Sequence, residues 1–538
     1  MKLRVSIFIA VLAALGLSAC TTSEAEQVVQ TVVVKETVVQ EKEVVITNTA
    51  IPPNPYAGTL TIGIAIVPET LDPLEAPSGQ SIAMTMYESL TFFNGATGEI
   101  EPLLAESWEV PDPTTYIFHL RQGAQFSNGE PFNADAVVFT YEFNQASELG
   151  NRMWSWQTVA SVEKVDEYTV KITTTEPDPV FLKRMGIPHA TIYPPQHAGE
   201  VGYDGLSTDP IGTGPFMFKE WVRGDKVVYE ANPDYWGRPG VAGVETVVWK
   251  SIPETSSRIA ALEAGEIDIA LNVPPTQMGV LMDQPDLTVS RALGTGVFYV
   301  MFDNVSSGIG TPLEDARVRQ ALIYAIDRQA IIDAVFRGQG VVLSTLIGPL
   351  QFGNNPDLAP IPYDPAKAQE LLTAAGYPNG FEISMACPSG YYANGVEACQ
   401  AIIGYLDEFL DITLNVREVN LHWDLECKHE FDPMFFDSAG DSFLDPVYPV
   451  NLALITENNC WATWDSPELQ VLLKAAAAIV DPDERREIYY QAADLMQTDP
   501  PAVPLWQVYK FTGLNKRVSG FTPWATNLVS LRGVQVIE

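Results

Sequence analysis

The sequence predicts an α/β protein with enough chain for about three domains. Segments in which apolar and polar residues alternate, the period of a half-buried strand, recur between segments that carry helical start and stop signals. The chain has 538 residues, and at about 150 residues per domain this length corresponds to roughly three units. Hydrophobic residues make up 46% of the chain, so most of it can bury a core.

Five segments predict strands because apolar side chains fall at every second position, which places them on one face of a sheet. These segments are 59–64, 116–120, 168–172, 245–249 and 414–419. Predicted strands that alternate with helical patterns favour α/β lobes over an all-β architecture.

Helices are indicated by their own termini. One is expected to begin after Asp364, which can cap it, with Pro365 in the first turn and Gly376 as its C-cap. Two more are expected to begin at Ser466 and Asp481, because each is followed directly by proline. Between Val318 and Phe336 the apolar residues are spaced as on one buried helical face.

The charge balance excludes one class of partner. Lys and Arg number 31 against 68 Asp and Glu, a formal net charge of −37. Such a surface repels phosphate groups, so nucleic-acid binding through a basic footprint is not expected. Electrostatic docking on anionic lipid is disfavoured for the same reason.

The first residues have the pattern of an export signal. Lys2 and Arg4 precede an apolar run over 5–17, which is shorter than the ~20 residues that a membrane-spanning helix needs. The run ends in Leu17-Ser18-Ala19-Cys20, which resembles a bacterial lipobox. That resemblance implies that residues 1–19 are removed and that Cys20 is lipidated. An ordinary signal peptide with a chance cysteine is the alternative.

Residues 20–56 differ in composition from the rest of the chain. They are a low-complexity run rich in Val, Thr, Glu and Gln that ends in prolines. We interpret them as a tether between the lipid and the folded part, with a small oligomerising β or coiled segment as the alternative. The mature chain is then held by lipid alone on the outer face of the cytoplasmic membrane, on the periplasmic or extracellular side.

Four cysteines remain after Cys20, an even number in a compartment that permits disulfides. Neighbour spacing favours the pairs Cys387–Cys399 and Cys427–Cys460, although three connectivities are possible. The five histidines are scattered, and the chain contains neither HExxH nor a CxxC zinc pattern. No metal site, cofactor or catalytic residue is therefore predicted.

Several motifs together resemble a known family. Three pieces lie at 102–108, 116–123 and 126–137; another precedes them at 70–73, and further pieces follow at 210–216, 232–237, 261–268, 315–322, 325–328 and 363–368. These stretches resemble the family 5 extracellular solute-binding proteins, the peptide- and nickel-type receptors of ABC importers. The resemblance covers roughly residues 57–530.

The resemblance implies a two-lobed, periplasmic-binding-protein-like fold of class II, the dipeptide/oligopeptide-binding type. This fold has an extra subdomain and an interdomain ligand cleft that closes about two hinge crossings. Lobe I would comprise 57–92, 203–300 and 507–538, its subdomain 93–202, and lobe II 301–506. In this fold Gly212-Thr213-Gly214-Pro215 is expected to be a structural turn that needs positive φ, and not a phosphate-binding loop.

The function that the resemblance implies is extracytoplasmic capture of a small solute and its delivery to ABC permease subunits. Peptide is the leading solute, and oligosaccharide, nickel and opine are alternatives within the family. The chain is expected to be a monomer. It is not expected to be an enzyme, because no nucleophile, base and oxyanion site can be named. An extracellular enzyme or adhesin is the alternative from another class.

Candidate ligand residues lie in the second lobe. In peptide receptors of this family an Asp in a Gly-Asp or Ala-Asp step binds the α-amino group, and Asp441 is the matching residue here. A buried carboxylate facing an ammonium forms a charge-assisted hydrogen bond; a loop-capping role is the alternative. Aromatic residues nearby in sequence could contact sugar rings or peptide side chains, or could belong to the core. They are Tyr391, Tyr392, Trp423, Trp461 and Trp464.

Overall fold

The computed structural model describes residues 58–74, 79–146, 155–237, 243–440, 443–456 and 459–537. Within these residues the strands form three main sheets and two small ones, and helices occur between them along the chain. The predicted α/β class is confirmed.

The largest sheet, called here the large sheet, has eight strands. Seven lie in the spatial order Leu287–Leu293, Trp506–Asn515, Ile269–Ala270, Thr59–Ile64, Thr246–Ser251, Lys226–Ala231 and Phe216–Val222, and Gly340–Val342 pairs with Trp506–Asn515. The predicted alternation holds at its centre, where Leu60 and Ile62 are fully buried. This sheet thus joins segments from both halves of the chain around one core.

A four-stranded antiparallel sheet lies between the first two segments of the large sheet in sequence. Its strands, in spatial order, are Ala105–Asp112, Thr115–Leu120, Thr169–Thr174 and Val159–Asp166. Tyr116, Phe118 and Leu120 are buried at alternate positions, so the sheet has its own core. Two small ribbons pair Thr91–Phe93 with Ile100–Pro102 and Val518–Ser519 with Gln535–Val536.

The third sheet has five strands and is called here the five-stranded sheet. Its spatial order is Asp411–Glu418, Glu382–Ser389, Met434–Ala439, Val297–Phe302 and Ala502–Pro504. The first three strands are parallel and the last two are antiparallel to their neighbours. The hydrophobic residues around this sheet form a separate core.

The α-helices between these strands vary from 4 to 17 residues. They are Gln80–Ala83, Ala134–Gln145, Phe181–Arg184, Pro195–Leu206, Thr255–Glu263, Met278–Met282, Ala316–Ala325, Arg328–Val335, Pro365–Ala375, Gly395–Leu406, Val419–Cys427, Pro449–Leu454, Pro467–Ala478 and Pro482–Thr498. Short 3-10 turns cover Pro188–Ala190, Pro275–Gln277 and Pro312–Glu314. None of the helices in the described part of the chain is both long and apolar enough to cross a membrane.

The predicted helix termini are confirmed. The Asp364 side chain accepts a hydrogen bond from the backbone N–H of Lys367, and Gly376 ends that helix with a φ of 96°. Ser466 and Asp481 cap the two later helices through their side-chain oxygens. Local capping chemistry therefore decides these boundaries, as the sequence pattern indicated.

The single helical face expected between Val318 and Phe336 is wrong as one element. The structure has two helices there, Ala316–Ala325 and Arg328–Val335. Ile326 adopts an extended backbone, and the Asp327 side chain accepts a hydrogen bond from the Ala330 N–H to cap the second helix. The apolar spacing hides this break because both helices bury one face in the same core.

The expectation of positive φ at Gly212 and Gly214 is also wrong, although a structural role remains. Neither glycine has a positive φ. A side chain would instead collide with the neighbouring backbone, since a Cβ would lie 2.2 Å from the Met86 oxygen at Gly212 and 2.5 Å from it at Gly214. Glycine is needed here because two backbones pack directly against each other.

The motif beside these glycines holds a buried carboxylate. Glu88 accepts hydrogen bonds from the Tyr235 hydroxyl at 2.7 Å, the Trp236 indole N–H at 2.9 Å and the Thr213 hydroxyl at 3.0 Å. Burial raises the pKa of Glu88, and these donors oppose that rise. Two of the family-like motifs, 210–216 and 232–237, therefore serve the fold rather than a ligand.

Candidate ligand site

The candidate site lies at one edge of the five-stranded sheet. Strands Glu382–Ser389, Asp411–Glu418 and Met434–Ala439 are parallel, so their carboxyl ends meet at the same edge. In open α/β sheets ligands bind outside the carboxyl ends of parallel strands. The segments that leave these three ends carry the residues described below.

Two direct chain connections between the five-stranded sheet and the large sheet leave from this same edge. Val297, which begins its strand, lies opposite Ala439, which ends the neighbouring one. Pro504 ends the outer strand at the same level. Before Val297 the chain comes from the strand Leu287–Leu293, and after Pro504 it continues into Trp506–Asn515. The edge that carries the candidate site is therefore also the edge at which these two direct crossings leave; the strand Gly340–Val342 of the large sheet is reached by separate, longer connections.

Three of the predicted aromatic residues come together here. The ring of Tyr391 lies edge-on to Tyr392, with centroids 4.9 Å apart, and edge-on to Trp423, with centroids 5.1 Å apart. Tyr391 is 62% exposed, so its ring is open to a solute. We call these three residues, Tyr391, Tyr392 and Trp423, the aromatic wall.

Asp437 orients two residues of the aromatic wall, Tyr392 and Trp423, through hydrogen bonds. Its carboxylate accepts hydrogen bonds from the Tyr392 hydroxyl, from the Trp423 indole N–H at 3.2 Å and from the Ser438 backbone N–H at 2.7 Å. Burial raises the pKa of Asp437 to about 6, and the donors act against that rise. One buried acid thus orients two of the three aromatic side chains.

Two further ionisable groups lie beside Asp437. His422 and Glu426 are both on the helix Val419–Cys427, and the His422 Nε2 is 3.8 Å from an Asp437 oxygen. Burial lowers the pKa of His422 to about 4, so the ring is neutral at pH 7 and this contact is not a salt bridge there. Burial raises the pKa of Glu426 well above its usual value, and the nearby Asp437 carboxylate adds to that rise. We call His422, Glu426 and Asp437 the buried cluster.

The structure does not bring the other two predicted tryptophans to the aromatic wall. Trp464 is 4% exposed within the core of the five-stranded sheet, and the Arg319 guanidinium lies 4.4 Å from its ring centroid. Trp461 is partly buried, and its backbone N–H donates to the Asn459 side chain at 3.0 Å. Neither tryptophan therefore belongs to the aromatic wall.

The four cysteines are joined in two disulfides. Cys387 is bonded to Cys399 and Cys427 to Cys460. The first bridge connects the strand before the aromatic wall to the following helix, and the second holds the end of the helix that carries Trp423. Asp441 and Cys20 lie outside the described residues.

A pocket lies on the large-sheet side, beside the crossing at Thr295. The Thr295 N–H donates to the Ala525 carbonyl at 3.2 Å, and residues 526–529, which follow Ala525, line the pocket. Lys510, on the crossing strand, donates to the Thr526 carbonyl and to the Asn527 side chain, and burial lowers its pKa to about 8. Trp524 also lines this pocket.

The segment just after residues 441–442 contacts the part of the chain before the crossing. Lys183 donates to the Phe443 carbonyl at 2.9 Å and lies 3.9 Å from Asp445. Phe443 and Leu444 pack with three residues from outside the five-stranded sheet's core, namely Phe93, Ile187 and Ala525. Phe443 and Leu444 are therefore held against residues that precede the five-stranded sheet in the chain, Phe93, Lys183 and Ile187.

Sequence reasoning missed the buried cluster. Asp437 had a visible signal, since it is a single acid in the otherwise apolar run 434–437. His422 and Glu426 are four residues apart, which places them on one helix face. Their proximity to Asp437 depends on how that helix packs on the strand, which no local pattern reveals.

Comparisons with known proteins find matches over most of this chain. The family model described as bacterial extracellular solute-binding proteins, family 5 Middle, matches residues 99–459. Di/tripeptide-binding protein 1 of Pseudomonas aeruginosa (strain UCBPP-PA14) is 30% identical over 515 residues, covering 88% of this chain and 94% of the relative. Heme-binding protein A of Haemophilus influenzae is 29% identical over 495 residues, covering 86% and 89%.

A solved structure shows the same fold. HbpA2 from Haemophilus parasuis superposes with a TM-score of 0.81 at 28% sequence identity, covering 89% of this chain and all of that chain. The two-lobed, periplasmic-binding-protein-like fold that the resemblance implied is thereby confirmed. The chain belongs to the bacterial extracellular solute-binding proteins of family 5.

Proposed function

We propose that this protein is an extracytoplasmic receptor that captures short peptides and delivers them to the permease of an ABC importer, without converting them chemically. The di/tripeptide-binding relative, with 30% identity over 88% of this chain, supports peptide as the solute class. The overall acidity of the chain, −37, also suits a solute that carries an ammonium group.

One observation carries the proposal. The exposed ring of Tyr391 and both chain crossings lie at the same edge of the five-stranded sheet. Rotation of one lobe about crossings at that edge would bring the large-sheet side over the aromatic wall and enclose whatever lies there. In this proposal the lobes have the boundaries that the resemblance implies, with the hinge near Thr295 and Trp506.

Within this site the aromatic wall would pack against the side chains of the peptide. Asp441 follows the Met434–Ala439 strand by two residues and would bind the α-amino group. A charge-assisted bond to a desolvated carboxylate would make a free amino terminus a requirement for tight binding.

The test is calorimetric titration of the full-length chain with di- and tripeptides. We expect 1:1 binding, and we expect N-acetylation of the same peptides to weaken binding at least tenfold. Tryptophan fluorescence should change on binding in the wild type and in Trp221→Phe, whose residue lies on the outer strand of the large sheet, but much less in Trp423→Phe. Tighter binding of heme or an oligosaccharide than of any peptide, or hydrolysis of the peptide, would contradict the proposal.

We further propose that Cys20 is lipidated and that residues 20–56 tether the receptor to the outer face of the cytoplasmic membrane. A diacylglycerol anchor would keep captured solute close to the permease, whereas a freely diffusing chain would lose it by dilution. We expect Cys20→Ser to move the protein from the detergent-soluble membrane fraction to the soluble fraction, and Cys387→Ser to leave it with the membranes. Membrane retention of Cys20→Ser would contradict the anchor.

A further inference from the structure

The buried cluster has the composition and the spacing of a cation site. One ligand atom from each of His422, Glu426 and Asp437 lies within 4.8 Å of the other two. His422 and Glu426 share one face of the helix Val419–Cys427, and Asp437 approaches them from the adjoining strand. All three side chains are buried.

Three polar atoms of the cluster, two in His422 and one in Glu426, lack hydrogen-bond partners within the described chain. His422 is 1% exposed, yet neither of its ring nitrogens has a hydrogen-bond partner among the described residues. One carboxylate oxygen of Glu426 likewise has no hydrogen-bond partner among the described residues. Buried imidazole and carboxyl groups that lack partners are costly. A cation bound to one nitrogen of His422 and to the free Glu426 oxygen would remove part of that cost.

We propose that the buried cluster binds a divalent transition-metal ion of the zinc class. One imidazole nitrogen and two carboxylate oxygens are donors that zinc accepts, whereas calcium and magnesium prefer oxygen donors alone. Bonds of about 2.0–2.2 Å place adjacent donors of a tetrahedral site roughly 3.3 Å apart. The donors therefore move closer together when the ion binds, from 3.8 Å between His422 Nε2 and the Asp437 oxygen and from within 4.8 Å for the three ligand atoms as a set.

The surroundings would support such an ion. The Tyr392 hydroxyl and the Trp423 indole N–H already orient the Asp437 carboxylate, as outer hydrogen bonds orient metal ligands. The disulfide Cys427–Cys460 fixes the end of the helix next to Glu426.

The nearby charges leave the two carboxylates of the buried cluster to be balanced by the ion. Arg417 acts electrostatically on His422, and it is paired with Asp432 at 2.6 Å, so this pair adds little net charge. Tyr299 and Tyr392 also interact with Asp437, and burial raises the pKa of both phenols, so both are neutral at pH 7.

The ion would connect the helix that carries Trp423 to the strand that carries Asp437. It would thus stiffen the aromatic wall from beneath, without touching the solute. This site is distinct from solute capture, and its occupancy can be measured with no solute present.

The experiment strips the full-length chain with EDTA, dialyses it against Zn²⁺ and measures bound zinc by mass spectrometry. We expect one zinc per chain and a higher Tm in zinc than in EDTA. His422→Gln and Glu426→Gln should each weaken zinc binding at least tenfold. Asp424→Asn, a change on the same helix at an acid paired with exposed Lys428, should bind zinc like the wild type.

A second measurement uses only the wild type, because a buried substitution can unfold the chain. Co²⁺ in a four-coordinate nitrogen and oxygen site absorbs visible light more strongly than hydrated Co²⁺, and we expect that spectrum at one equivalent. Absence of zinc from the dialysed wild type would overturn the proposal. So would undiminished zinc binding in both glutamine variants, or tighter binding of Ca²⁺ than of Zn²⁺.

Discussion

We expect Asp445→Ala to lower the free energy of unfolding by about 3–5 kcal/mol. Asp445 is paired with Arg485 through two parallel hydrogen bonds of 2.8 and 2.5 Å, and both side chains are almost fully buried. Removal of the carboxylate would leave a guanidinium without its counter-charge in a dry core. The desolvation of that cation is then no longer offset, which is why the expected loss is large.

The next residue along the same helix provides a matched control. Arg486 pairs with Asp483 at 2.6 Å, but the Asp483 side chain is 88% exposed. Water already solvates both charges there, so Asp483→Ala should cost at most about 1 kcal/mol. Urea unfolding followed by circular dichroism measures both variants. Equal small losses for the two changes would show that the buried pair is not a stabilising element.

We expect Asp445→Ala to affect peptide binding at the candidate ligand site as well as stability. Asp445 lies two residues after Phe443, whose carbonyl accepts from Lys183 across the contact between the two halves of the molecule. Loss of the buried pair would loosen the described segment that begins at Phe443, which follows the proposed ligand residue Asp441 by two positions. We therefore expect peptide affinity to fall together with stability in this variant and to stay unchanged in Asp483→Ala.

We expect Gly212→Ala to be the second large effect, with a loss of about 3 kcal/mol of stability. The new methyl group would lie 2.2 Å from the Met86 oxygen, 2.9 Å from the Met86 carbonyl carbon and 3.2 Å from the Tyr87 Cα. All three atoms belong to the backbone, so no side-chain rotation can relieve the contact. The two segments must separate, which disturbs the buried Glu88 network beside them.

Gly279→Ala is the matched control for that change. Gly279 lies in the helix Met278–Met282 and a Cβ there would meet nothing within 4 Å. Alanine should therefore stabilise the protein by up to about 1 kcal/mol, because glycine loses more backbone entropy in a helix. Thermal unfolding distinguishes the two, since opposite signs are expected. A neutral Gly212→Ala would mean that the Met86 backbone can move aside without cost.

Much of the fold could be predicted because its signals are local. Proline after Asp364, Ser466 or Asp481 marks a helix start through side-chain caps and a preset φ, which depend on a few adjacent residues. Strand alternation around Leu60 and Phe118 reports which face is buried, and the order of the motifs identifies the family. Local patterns failed where two helices share one core, since the turn at Asp327 does not interrupt the apolar spacing.

The sequence by itself determined the α/β class, the helix starts, the family and three of the aromatic residues that meet at one sheet edge. Only the tertiary structure decided that both crossings leave from that edge, that Trp464 is buried under Arg319, and that Asp437 meets His422 and Glu426. The physical reason is that helix–strand packing and backbone contact are long-range. Sequence spacing does not show that Gly212 packs against the Met86 backbone, or that residues 422 and 437 lie close together.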